Sequence, residues 1–136
     1  MNTVGDGASR HEDLYGRSND MVFSDVLSFL RRKYTRDLTG VDVAVTGISF
    51  DSSTINRPGA RFGPRGIRAA STEVASLDGF PFNFNLFDHL SVVDDGDVWL
   101  DYGYPQNLVE KVEKPADKIL KQGTFLLSFG GDHFVT

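Results

Sequence analysis

The sequence predicts an α/β fold built on a parallel sheet. Residues 41–48, VDVAVTGI, are apolar on both faces, and Leu90–Val93 and Thr124–Phe129 are further short apolar runs. A strand covered on both sides reads this way in a parallel sheet. Between these runs lie two stretches of helical period, 64–77 and 106–122. Strands separated by helices of this length make βαβ units, which pack as an α/β sandwich.

Each element has a local reason. Residues 1–20 are polar, contain glycine and show no periodicity, so they read as a flexible arm. Val22, Phe23, Val26, Leu27, Leu30 and Tyr34 recur at three- and four-residue steps, which predicts an amphipathic helix ending near Arg31–Arg36. After the 41–48 strand, residues 50–63 are too rich in Gly, Pro and polar side chains for regular structure. Pro64 suits a first helical position, and Ile67, Ala70, Val74 and Leu77 make an apolar stripe. GFPFNFNLFDHL reads as an ordered loop, with Phe80, Phe82, Phe84 and Phe87 as core or interface filler and His89 as a solvated or capping residue. Asp94-Asp95-Gly96-Asp97 closes the next strand. The 106–122 helix carries Leu108, Val112, Ile119 and Leu120, with Pro115 expected to kink or split it and Gly123 to stop it.

Composition narrows the function. The chain has 136 residues and a formal charge of −5, which fits one domain and argues against a nucleic-acid binder. Without cysteine there is no disulfide scaffold, no thiolate zinc site and no thiol nucleophile. No run approaches the ~18 apolar residues of a membrane span, and the first twenty residues lack the apolar core of a secretory signal. A cytoplasmic location is expected. Neither a P-loop nor a G-x-G-x-x-G fingerprint occurs. His11-Glu12 opens like a zinc-protease motif, but position 15 is Tyr.

Three segments remain as carriers of chemistry. Gly130-Gly131-Asp132-His133 leaves a buried strand, at the edge where open α/β sheets bind ligands. There His133 reads either as a metal ligand beside a carboxylate or as a hydrogen-bonded turn residue. Residues 50–68 hold Arg57, Arg61, Arg65 and Arg68, the last three spaced to share a helix face. They read as an anion patch at a helix start or, the favoured reading, as partners for surplus carboxylates or holders of a subunit contact. Asp94, Asp95 and Asp97 read as oxygen ligands for a hard cation or, preferred, as turn residues.

Together, GISFDSSTINRPGARFGPRGIRAAS, LSVVDDGDV and FLLSFGGDHFVT resemble the ureohydrolase family, and within it the bacterial agmatinase branch, over about residues 22–136. Phe134 stands where arginases usually have Ser. The resemblance implies a three-layer α/β/α sandwich with a central parallel sheet, incomplete in this chain, and residues 21–136 as the N-terminal part of that domain. It implies two Mn2+ ions at the carboxyl edge, and hydrolysis of a guanidino substrate by a manganese-activated hydroxide. With agmatine the products are putrescine and urea. His133 would be a metal ligand, Asp132 would orient it, and Phe50–Arg61 would line the substrate rim. A homo-oligomer is implied, with no nucleic-acid or membrane partner.

The family's later Asp-x-His-x-Asp and Asp-x-Asp segments do not occur here, so the remaining ligands and the catalytic residues are expected beyond Thr136. The 124–129 strand should then carry an unpaired apolar edge. A chain of this kind alone is expected to be inactive. Two other readings stay open. One is a non-catalytic interaction module. The other is a hydrolase of a guanidino acid such as guanidinobutyrate, whose tail Arg57 and Arg61 would receive.

Overall fold

A computed structural model describes residues 13–136 except 19, 77 and 80. Four strands, β1 (Lys33–Tyr34), β2 (Val43–Gly47), β3 (Val92–Asp97) and β4 (Phe125–Phe129), pair in the order β1-β3-β2-β4. Every pairing is parallel, as two-sided apolar runs require. Helix α2 (Leu108–Lys121) covers one face of the sheet, where Ile119 meets Leu38, Ala44 and Val93. Helix α1 (Gly63–Ser71) and the 3-10 turn Phe29–Arg31 lie on the other face, over the cluster of Val45, Phe87 and Val92. The result is an α/β/α arrangement. Among the described residues β4 has one neighbour, β2, and Phe125 and Leu127 are exposed.

The helix expected over 22–34 does not form. In its place are bends, the Phe29–Arg31 turn and β1. Buried Arg31 explains this. Its guanidinium donates to the carbonyls of Met21 (2.8 Å), Ser24 (2.6 Å) and Val26 (2.9 Å), the acceptors a helix would need for itself. Asp25, Leu30 and Arg31 take positive φ, and Phe23 is left 87% exposed. Asp94 Oδ2 accepts the Phe29 N–H at 2.8 Å and ties the turn to the sheet.

Most of the expected arm lies outside the described residues, as does the His11-Glu12 pair. Within the described part, the Gly16 N–H donates to Phe87 O and Gly16 O accepts from Arg32 Nη1, both at 2.8 Å. Arg32 also stacks over the Phe87 ring, 3.8 Å from its centroid, and burial lowers its pKa to about 10. Phe82 and Phe84 are exposed, and Phe80 lies outside the described residues.

Helix α1 has the expected period and the opposite phase. It ends at Ser71, earlier than the expected end near 77; Ile67 within it and Val74 in the turn beyond it are 40% and 50% exposed, while Pro64, Arg68 and Ser71 face inward. The helix is turned by Arg68, which reaches carboxylates on β3. Helix α2 runs unbroken through Pro115, so the expected split does not occur. Leu108, Val112, Pro115 and Ile119 share its inward side, and Leu120 faces out.

The acidic run is strand, not turn. Strand β3 continues to Asp97, and the register slips between Val45↔Asp94 and Thr46↔Gly96. That bulge skips Asp95. Side chains alternate along a strand, so the extra residue places Asp97 on the same face as Asp94. Gly96, at φ +84°, allows it, since a Cβ there would sit 2.4 Å from Tyr34 Oη.

Candidate functional site at the sheet edge

Strands β2 and β4 are parallel neighbours, so the loops that follow them emerge side by side at the carboxyl edge. The loop after β4 is Gly130-Gly131-Asp132-His133, and the loop after β2 runs from Ile48 to Phe62. Ile48 N–H donates to Phe129 O at 2.7 Å, and Asp132 N–H to Phe50 O at 2.8 Å. Asp132 locks the junction with its carboxylate. Its Oδ2 accepts the Ser53 N–H (2.8 Å) and its Oδ1 the Phe134 N–H (3.0 Å). Gly131 is needed for the approach, because a Cβ there would lie 1.9 Å from Phe50 O. Phe50 is buried between Tyr102 and Phe134, with ring centroids 6.2 Å and 6.0 Å away.

His133 opens the 3-10 turn His133–Val135, with its imidazole exposed. The turn borders a depression of about 560 Å³ that is also lined by Ile48, Ser128 and Asp132. Asp132 acts on His133 through the backbone: it caps this turn and ties it to the 50–53 segment.

The 51–61 loop is closed by a residue the sequence did not single out. Asp51 is 1% exposed. Its Oδ2 accepts the N–H groups of Gly59 (2.7 Å) and Arg61 (3.2 Å), and its Oδ1 accepts Arg61 Nε (2.8 Å). The Arg61 side chain, then the backbone donors, hold the Asp51 carboxyl down to about 2 against the opposing effect of burial. Arg61 also lies over Tyr102, 4.2 Å from the ring centroid. The ten-residue spacing from Asp51 to Arg61 carries no known signature, and Tyr102 comes from a distant loop, so neither was visible in sequence.

The arginines divide. Arg61 precedes α1, Arg65 is exposed and Arg68 points inward, so the three do not share a face. Pairing with carboxylates holds for two of them. Arg68 binds Asp94 through Nε (2.7 Å) and Nη2 (2.9 Å), and Asp97 through Nη1 (2.5 Å). Asp94 and Asp97 thus serve a guanidinium, and neither expected reading of the acidic run holds for them. Asp94, fully buried, also accepts the N–H groups of Phe29 and Gly96. These bonds raise the Arg68 pKa, though burial, the largest single effect, opposes them. Asp95 points to the other face, where burial pushes its carboxyl up.

No three His, Cys, Asp or Glu side chains among the described residues come together to hold a metal ion. His133 offers one imidazole, and one donor does not make a transition-metal site.

Residues 41–136 match the sequence pattern of the arginase family. The chain belongs to the arginase family. An agmatinase from Chromobacterium violaceum is 50% identical to this arginase-family chain over 132 residues, covering 97% of the chain and 41% of that protein. The crystal structure of a hypothetical agmatinase from Burkholderia thailandensis superposes with a TM-score of 0.93 at 45% identity, over 96% of the chain and 41% of the other. A formiminoglutamase from Trypanosoma cruzi, solved with Mn2+, shares the fold at a TM-score of 0.58 and 23% identity, over 69% of the chain and 32% of its own. The chain spans about two-fifths of the length of the agmatinases it matches. Among the described residues no helix is long and apolar enough to cross a membrane.

Proposed function

We propose that this chain serves an agmatinase-type ureohydrolase, which splits agmatine with water into putrescine and urea. The observation that carries the reading is the locked junction at the sheet edge, where Asp132 joins the His133 turn to the 50–61 loop. The 50% identity to an agmatinase supports the substrate class.

The proposed cofactor is a pair of Mn2+ ions, which would lower the pKa of a bound water so that it attacks at neutral pH. His133 would donate one imidazole. The described residues do not complete a site for the pair. This chain's own residues have definable tasks. Asp132 fixes the His133 backbone. Asp51 and Arg61 close the loop that forms the substrate rim. Phe50, packed against Tyr102 and Phe134, supports that loop from beneath. The protein is proposed to be cytoplasmic and homo-oligomeric, without nucleic-acid or membrane partners.

A guanidino acid would need a cation for its tail. Arg61 is held by Asp51, while Arg57 is exposed. Agmatine, whose tail is itself a cation, makes no such demand.

Urea release from agmatine with added Mn2+ tests the proposal, on the 136-residue chain and on a polypeptide continued through the natural reading frame. Activity in the continued form alone supports the agmatinase reading, with this chain supplying the first ligand. Inactivity toward agmatine with turnover of guanidinobutyrate moves the substrate to the acid. No urea from any guanidino compound in either form leaves a non-catalytic interaction module.

A further inference from the structure

A second concavity lies on the α2 face of the sheet, on the β1–β3 side and away from the free edge of β4. It has a volume of about 430 Å³, within the range of small-molecule sites. Its walls carry Arg36, Lys111, Lys114 and Lys118, and its mouth carries Trp99. The three lysines recur at three- and four-residue steps on α2, so they line one helix face. Leu38, Pro115 and Ile119 form an apolar floor.

The charges do not cancel. Two carboxylates, Asp95 and Asp97, line the cleft against four cations, and Asp97 is already bound by Arg68. Lys114 is shared with Glu110 at 2.6 Å. Arg36, Lys111 and Lys118 remain, with Asp95 acting on Arg36 and Lys118 and Glu110 acting on Lys111. A chain of net charge −5 thus concentrates positive charge in one concave place. The half-buried floor that pushes the Asp95 carboxyl up is also a place where charges are weakly screened. Trp99 is 68% exposed, and Lys111 stands 5.2 Å from its ring centroid. An exposed indole flanked by cations can stack a flat ring while the cations hold an attached anion.

We propose that this cleft binds a small anion that carries a flat ring, of which a nucleoside monophosphate is the simplest common kind. Its stacking surface is Trp99, and its anion is held by Lys111, Lys118 and Arg36. The cleft is distinct from the His133 edge and does not depend on the ureohydrolase reading. Trp99 and Arg36 also border a shallower depression that reaches Arg61 and Tyr102, and the test must separate the two.

Trp99 is the chain's single tryptophan, so its fluorescence reports the cleft together with that depression, and substitutions separate the two. AMP, adenosine and inorganic phosphate are titrated into the 136-residue chain at 50 mM and 500 mM NaCl. Quenching that saturates with AMP, weakens at high salt and exceeds that of adenosine or phosphate alone is expected. Lys111→Ala with Lys118→Ala should weaken AMP by about tenfold or more, the scale of losing charge-assisted contacts. Both positions are on α2 and alanine is a strong helix former, so the far-ultraviolet circular dichroism should not change. Phe62→Ala, at an exposed residue that lines the depression and not the cleft, should leave AMP binding intact. The proposal is overturned by unsaturated quenching, by adenosine binding as well as AMP, or by binding unaffected in the double-lysine variant. Loss of AMP in Phe62→Ala but not in the lysine variant also overturns it, because the ligand then sits in the neighbouring depression.

Discussion

Arg68→Met is the most informative single change in the fold. Arg68 is 7% exposed and makes two bonds to fully buried Asp94 and one to Asp97. Methionine keeps an unbranched apolar stem like that of arginine and ends before the guanidinium, so the loss is chiefly electrostatic. Asp94 would stay buried with only the N–H groups of Phe29 and Gly96 as partners. Removing one member of a buried pair typically costs about 3–5 kcal/mol, a large part of the ~5–15 kcal/mol that holds a domain folded. Asp97 adds little, because its side chain is 42% exposed and water can replace the guanidinium. With a urea m-value of about 2 kcal/mol/M, the unfolding midpoint should fall by about 2 M. The assay is urea unfolding followed by circular dichroism at neutral pH. Asp94→Asn added to Arg68→Met should recover part of the loss, since the amide leaves no buried charge. A loss below about 1 kcal/mol in Arg68→Met, or a double variant as impaired as the sum of the two singles, would refute the view that this network holds α1 against β3.

Acid sensitivity should trace to Asp51. Its folded pKa is about 2, below the ordinary ~3.9, so its contribution is complete above about pH 4 and disappears as the pH falls through 2. Denaturant midpoints measured between pH 5 and pH 2 should decline less in Asp51→Asn than in the unaltered chain. Gly131→Ala should cost about 1–3 kcal/mol or more, because the new Cβ meets the Phe50 backbone. Gly130→Ala should cost less, because its Cβ meets only the Val135 side chain. Urea midpoints of the two variants give the order. Lys121→Ala removes an exposed pair with Asp117 and should change stability by no more than about 0.5 kcal/mol in the same assay.

Three of the four strands, the order of those strands and the two helices, and the edge where His133 stands were legible in the sequence; β1 was not, because it falls where a helix was expected. Those features are local. Both faces of 43–47 are apolar because both are covered, and a loop that leaves such a strand must emerge at its carboxyl end. The family, too, was legible in short motifs along the chain. Tertiary structure alone decided which way α1 turns, why 22–34 is not a helix, and why the acidic run is strand. In each case polar groups act, Arg31 on carbonyls close to it and others across a long separation. Arg68 reaches Asp94 from 26 residues away, Asp94 takes the Phe29 N–H from 65, and Asp132 takes the Ser53 N–H from 79. Hydrophobic period reports that a helix has an inner face. It does not report that the inner face is chosen by an arginine, because a buried charge must follow its partner and the partner's place is set by the folded sheet.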